Sequence, residues 1–216
     1  MSTFVRTVDS YVRGAHTLPQ QYYLSPDVLA SEWTRVFNEQ WLCIGRADQV
    51  SKPGSYVVAN IGAESLIVVR DRKTDTLHAH FNVCRHRGTR ICMDASGEFG
   101  ETIQCPYHAW TYALDGSLLR APSMHDIEGF EREDYPLVSA AVAEWEGFIF
   151  VNISREPTEF ESAFAPVMDR FARYNLPQLT TVRRISYDVK ANWKLVMQNY
   201  NECLHCPTIH PMLSKV

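Results

Sequence analysis

The chain has 216 residues, of which 45% are hydrophobic and 21% charged, and its 21 Lys plus Arg against 25 Asp plus Glu give a formal net charge of −4. This is globular composition; it excludes a disordered tail or a collagen-like rod, and with no cationic surplus to displace phosphate counterions it argues against a dedicated nucleic-acid binder. No apolar run exceeds the four residues of Phe148 to Val151, whereas a membrane helix needs about 20 and a secretory signal about 7 to 15, so the expectation is a soluble, cytoplasmic protein with no membrane partner. Residues 1–40 read as an arm that is helical towards its end: Ser25 caps, Pro26 fits the first turn, and Val28, Leu29, Trp33, Val36 and Phe37 share one stripe. From 41 to 155 the pattern changes to short runs that read as strands, namely Ser55–Ile61, Glu64–Arg70, Leu77–Val83, Ala109–Leu114 and Phe148–Ile153. In Leu77–Val83 the period is two, with Leu77, Ala79, Phe81 and Val83 on one face and His78, His80 and Asn82 on the other. Pro53-Gly54 and Asp115-Gly116 supply turns, which makes this region a compact antiparallel β-domain. Residues 156–216 change character again. Glu161–Tyr174 reads as a helix and Val182–Lys190 as a strand; from Asn192 a helix carries Val196, Tyr200, Cys203 and Leu204 until Pro207 halts or kinks it. The fold class is α+β.

The six cysteines sit among histidines in a chain long enough to fold without disulfides, so metal chemistry is the first question. Cys84-Arg85-His86-Arg87-Gly88 follows the clearest strand, and Cys105-Pro106-Tyr107-His108 follows the short stretch Thr102–Gln104. Each loop offers one thiolate and one imidazole, which is the donor set of a Rieske [2Fe-2S] centre, two sulfurs on one iron and two nitrogens on the other. Neutral imidazoles leave the outer iron electron-poor and raise the potential relative to an all-cysteine cluster. Tetrahedral zinc takes the same donors, but a zinc finger gathers its cysteines in one knuckle and its histidines on one helix, whereas here each loop carries one of each. Cys92 reads as a small buried hydrophobe and not as a fifth ligand.

With these residues in view, the sequence resembles the Rieske domain of the ring-hydroxylating oxygenases. Asn82 to Gly88 and Cys105 to Tyr112, followed by Asp115-Gly116, are similar to that family's two cluster loops. Another branch of Rieske proteins has two further cysteines, which form a disulfide, where this chain has Thr89 and Tyr107. The resemblance therefore implies the low-potential branch, towards the lower end of the range of about −150 to +300 mV. One departure is Ala109, where the family more often has Gly; it removes no ligand.

A second constellation, Asn199 to His210, answers what receives the electrons. Glu202 and His205 are three apart, and Pro207 breaks the turn so that His210 swings back towards the same point. Two histidines and a carboxylate suit a non-haem Fe(II) site with open positions for oxygen and substrate. The competing readings are a Cys203-x-x-Cys206 dithiol, a zinc site of Cys203, Cys206, His205 and His210, an ordinary helix end, or Glu202 as a third iron ligand. The order of acid, His and His resembles the mononuclear-iron motif of the same family, and the resemblance implies His205 and His210 as iron ligands and Glu202 as the acid linking the iron to the cluster histidine of a neighbouring subunit. The wording around Glu202 looks most like oxygenases of quaternary ammonium compounds such as carnitine or glycine betaine.

The family's third iron ligand is a carboxylate much further along, in a helix-grip catalytic domain with a sheet curved round a long helix. The expectation is thus a partial large subunit, with an N-terminal arm at 1–40 that packs with the catalytic domain, a Rieske domain at 41–155 and the beginning of the catalytic domain at 156–216. The resemblance implies an NAD(P)H-dependent reductase or ferredoxin as electron donor, O2, a small organic substrate, mono- or dihydroxylation of it, and a homotrimer for the full-length protein. An electron-transfer module without oxygenase activity is the alternative.

Overall fold

The run Leu66-Ile67-Val68-Val69 is apolar at every position because its strand is covered on both faces: all four residues are fully buried, Ile67 and Val69 in one hydrophobic core and Leu66 and Val68 in another. A computed structural model describes residues 12–14, 16–202 and 205–212. These form two compact units, one of Trp33–Ile185 and one of the described parts of Met1–Glu32 and Ser186–Val216.

In the larger unit the strands are β1 Leu42–Arg46, β2 Ser55–Ile61, β3 Glu64–Arg70, β4 Leu77–Phe81, β5 Ser96–Glu98, β6 Thr102–Gln104, β7 Thr111–Ala113, β8 Leu118–Arg120, β9 Ser139–Trp145 and β10 Phe148–Asn152. They build a seven-stranded sheet in the order β1-β10-β9-β4-β3-β2-β5 and a three-stranded sheet in the order β6-β7-β8, and the neighbouring strands pair antiparallel. The α+β class and the antiparallel β-domain expected from the sequence are what the structure has.

Period two in β4 holds as read: Ala79 is buried in the core that also receives Leu77 and Phe81, while His80 and Asn82 are buried on the opposite side. A buried polar side chain must be hydrogen-bonded or it costs stability. His80 Nε2 lies 2.9 Å from the Leu114 carbonyl and its Nδ1 3.3 Å from Ser139 Oγ. That imidazole packs under the Asp115-Gly116 turn, where Gly116 has φ +92° and an added Cβ would fall 2.6 Å from the ring. The strand stops at Phe81, so Val83 leaves the apolar face and is exposed, held by a bridge to Arg90.

Four expected elements outside the two sheets differ. The helix over Glu161–Tyr174 is α-helical only at Phe160–Phe164; Pro166 lacks the N–H that would continue it, and Asn175 turns the chain with φ +50°. Val182–Lys190 is assigned no strand: Val182, Ile185, Tyr187 and Val189 are exposed, and no strand pairs with the segment among the described residues. The N-terminal stripe is an α-helix at Pro26–Glu32 followed by a π-helical turn at Trp33–Phe37. The last expected helix ends at Tyr200, capped at its start by the Asn192 side chain. Pro207 accordingly interrupts nothing; it sits in the first turn of a separate short helix, Cys206–Ile209, where its missing N–H is harmless. Cys203 and Leu204, and with Cys203 the dithiol reading, lie outside the described residues.

Asn82 decides how β4 hands over to the first cysteine loop. Its Oδ1 accepts the Ile91 N–H at 3.0 Å and the Cys92 N–H at 2.7 Å, and its Nδ2 donates to the Cys92 carbonyl at 2.8 Å and to Ser65 Oγ at 3.2 Å. One side chain thereby closes the base of the 83–92 excursion. Asn82→Ala leaves buried backbone groups without partners and should cost about 2–4 kcal/mol, read as a lower urea midpoint at unchanged slope.

Candidate metal centre

The two cysteine loops are built alike. In the first, the Cys84 N–H donates to the Thr89 carbonyl at 2.8 Å and the Gly88 N–H to the Cys84 carbonyl at 3.0 Å; in the second, the Cys105 N–H donates to the Trp110 carbonyl at 2.8 Å and the Ala109 N–H to the Cys105 carbonyl at 3.1 Å. Each loop is thus closed by the residue four and the residue five places after its cysteine. The fourth takes the left-handed conformation in both, Gly88 at φ +72° and Ala109 at φ +55°. This is why the run expected as a strand from Ala109 begins only at Thr111.

Matched loops segregate their donors. Cys84 and Cys105 are 2% and 3% exposed, whereas His86 and His108 are half-buried and their ring centroids stand 4.8 Å apart. Burial pushes the Cys105 thiol up from its ordinary value, opposed by the backbone N–H groups of Tyr107 and His108, and the Cys84 side chain is its neighbour. Burial also holds His86 below the usual histidine range, and the neighbouring His108 and Arg87 add to this. A neutral imidazole is the form that binds metal.

Tyr112, fully buried on β7, places its hydroxyl oxygen 3.3 Å from Cys84 Sγ and accepts the Arg85 N–H at 3.1 Å. As a thiolate, the sulfur would accept the phenolic proton. Trp110 stacks on His86. Both lie in the stretch Cys105 to Tyr112 on which the family resemblance rests, two and four residues after His108, but nothing in the sequence assigns either of them a role. Cys92 is buried, and desolvation pushes its thiol up to about 11, as befits a packed, inert cysteine.

In the smaller unit, Glu202 Oε1 lies 2.5 Å from His205 Nδ1, and the rings of His205 and His210 are 5.3 Å apart at 76°. The structure therefore brings the three residues of the second constellation near one another, through the turn after Tyr200 and not through one face of a continuous helix. Among the described residues no three His, Cys, Asp or Glu side chains converge on a single ion-sized point, and no helix is long and apolar enough to cross a membrane.

The donors fit a cluster better than a single ion. Two sulfurs share a buried floor and two imidazoles an outer rim, as a two-iron unit with unlike ends requires. Comparison with known proteins agrees. The model of the Rieske [2Fe-2S] domain matches residues 40–131, and that of the ring-hydroxylating alpha subunit catalytic domain matches residues 176–216. Residues 40–131 thus belong to the Rieske [2Fe-2S] domain family and residues 176–216 to that of the ring-hydroxylating alpha subunit catalytic domain. It is 39% identical over 202 residues to the glycine betaine monooxygenase oxygenase subunit of Chromohalobacter salexigens, covering 93% of this chain and 44% of that protein. Against the carnitine monooxygenase oxygenase subunit of Acinetobacter pittii it is 34% identical over 199 residues, covering 91% and 53%. The crystal structure of the quaternary ammonium Rieske monooxygenase CntA with L-carnitine superposes with a TM-score of 0.85 at 32% identity, over 92% of this chain and 56% of that one. The chain spans about half the length of the relatives it matches. Members of this oxygenase family carry a Rieske [2Fe-2S] cluster and a mononuclear iron, the two cofactors expected from the sequence.

Within the Rieske domain, Ala109 stands out as a non-glycine residue in a left-handed cluster loop. That conformation costs an L-residue about 1–2 kcal/mol, partly offset because glycine loses more freedom on folding. Ala109→Gly should accordingly stabilise the domain by about 0.5–1 kcal/mol, seen as a rise of a few degrees in the melting temperature with the β-sheet circular dichroism unchanged.

Proposed function

We propose that this chain is the cluster-bearing part of the oxygenase component of a Rieske monooxygenase that acts on a quaternary ammonium compound. In this reading Cys84 and Cys105 hold one iron of the cluster, His86 and His108 hold the other, His205 and His210 bind the mononuclear Fe(II), and Glu202 is the acid between the two centres across a subunit boundary. The observation that carries it is the segregation of donors in the paired loops, thiols 2% and 3% exposed below and imidazoles on the rim. Support for the substrate class comes from relatives described as glycine betaine and carnitine monooxygenase oxygenase subunits.

When bound, the cluster supplies a one-electron relay and the mononuclear iron supplies oxygen activation. The chain's own residues do the rest. Cys84 and Cys105 offer sulfurs in a floor from which water is excluded, so proton release accompanies metal binding there. The Tyr112 hydroxyl stands 3.3 Å from the Cys84 sulfur, and with that sulfur a thiolate it would donate to it, drawing charge from it and favouring the reduced state. His86 and His108 keep an edge towards solvent, where a donor protein can approach. Glu202 accepts from His205, which orients that imidazole and fixes which nitrogen remains for a metal.

Residues 41–155 are read as the Rieske domain, 156–216 as the start of the catalytic domain, and 1–40 as an arm packing with it. Consistent with the last, Asn192 Nδ2 donates to the Tyr23 carbonyl and Glu32 accepts from Trp193 Nε1 and Lys194 Nζ. Electrons would come from an NAD(P)H-dependent reductase or ferredoxin, in a homotrimer of the full-length protein. Reduced cysteines fit a cytoplasmic setting.

Anaerobic reconstitution with iron and sulfide tests the reading. The expected product holds about two acid-labile sulfides and about two irons per chain, about three where the mononuclear site also fills, with a rhombic EPR signal on reduction. Cys84→Ser or His108→Ala should abolish that signal. A colourless protein carrying zinc and no labile sulfide would overturn the cluster, and oxygen uptake unchanged by glycine betaine, carnitine or choline in the electron-supplied full-length protein would overturn the substrate class.

A further inference from the structure

We propose that Trp110 is the positioning residue of His86: its buried indole lies parallel to the imidazole as a backing plate that fixes the ring's plane. The inference rests on the ligand reading of His86 given above. The rings are 4.9 Å apart between centroids and 9° from parallel, and Trp110 is 2% exposed.

What sets this pair apart is that it joins the two loops. The Trp110 carbonyl closes the second loop by accepting the Cys105 N–H at 2.8 Å, while its side chain reaches the histidine of the first. The plate is itself wedged, since Phe130 and Tyr135 meet the indole at 64° and 89° and stack on one another at 4.9 Å. His108 has different company: it lies 70° from the plane of His86 and packs against Tyr107, which is 60% exposed.

The indole N–H is buried and has no hydrogen-bond partner among the described residues. An orphaned donor is unfavourable, and a phenylalanine would avoid it, so hydrogen bonding does not account for a tryptophan here. Its extended face does. The outer torsion of a histidine is broad and roughly two-fold, and stacking against a rigid neighbour selects one setting of it. Orientation of a ligating imidazole by its surroundings is a recognised control on a metal centre.

The test uses the reconstituted whole chain with Trp110→Leu, which removes the plate, and Trp110→Phe, which keeps a smaller one. The readouts are taken per mole of cluster formed: the spread of EPR g-values after reduction, the two histidine nitrogen couplings by pulsed EPR, and the rate at which cluster absorbance is lost. Trp110→Leu should broaden the g-spread, change one nitrogen coupling and leave the other, and lose cluster about three- to tenfold faster; Trp110→Phe should fall between it and the natural protein. Should Trp110→Leu fail to fold, Phe130→Leu, which loosens the wedge, decides by showing a weaker version of the same one-sided change. Wild-type g-values and both wild-type couplings in these variants would reduce Trp110 to a core filler and overturn the inference. A natural protein with no Rieske signal at all would instead sink the ligand reading, and the inference with it.

Discussion

Paired closure of two backbone loops is the constraint on which the site depends. Cys84 and Cys105 each spend their own N–H and C=O on residues five and four places ahead, so that neither sulfur's position is left to side-chain freedom alone. Both loops then face the same core, where Tyr112, Ile103, Ile67 and Leu137 exclude water from the sulfurs. The electrostatic consequence is a thiol raised by burial at Cys105, a group poised to give up its proton only to a cation that repays the desolvation.

The larger sheet contributes stiffness, not ligands. Because β3 and β4 separate two cores, side chains on opposite faces of the same strand serve different ends: Leu66, Val68 and Ala79 hold the far core together, while Ile67, Val69 and the polar pair His80 and Asn82 support the small sheet and the first loop. His80 ties β4 to the Leu114 carbonyl beside the Asp115-Gly116 turn, where Asp115 Oδ1 also accepts the Ser117 N–H at 2.9 Å. The second cluster loop leaves β6 and returns into β7, so anchoring that hairpin anchors Cys105 and His108 as well.

Much of this was legible in the residues. Runs Ser55–Ile61 and Glu64–Arg70 coincide with β2 and β3, because a strand whose faces are both or alternately buried writes its period into the sequence and Pro53-Gly54 marks the turn before it. By contrast β9, Ser-Ala-Ala-Val-Ala-Glu-Trp, has three alanines, which favour no pleated surface, and is a strand only through its pairing with β10 and β4. β5 and β8, three residues each, are too short to show any period. Val182–Lys190 errs the other way: its alternation marks apolar positions, but period two cannot say whether a partner strand is there to receive them. At the site, the sulfur and imidazole donors announce themselves by type and spacing. Asn82, Trp110 and Tyr112 stand within the stretches that carry the family resemblance, but their roles do not announce themselves, since what an asparagine or an aromatic touches is settled only when the fold brings it to its neighbour.

The same contrast separates the two constellations. The first is carried by burial, with fully covered residues on both strands flanking the second loop. The helix Trp193–Tyr200 before the second has no buried residue; Leu195, Val196 and Met197 are about half exposed and Tyr200 more so. What holds that helix within its unit is polar: the Asn192 cap, the Glu32 carboxylate against Lys194 Nζ at 2.5 Å and Trp193 Nε1 at 2.8 Å, and Tyr23 with Gln198. Lys194 draws the Glu32 carboxyl below its usual range, so this tie is present above the ordinary carboxylate range and is lost as pH falls through the lowered value. Hydrogen bonds and a partly screened ion pair fix direction well but contribute little net free energy. The second constellation therefore follows a helix held by polar ties, whereas the two cysteine loops are held by apolar cover.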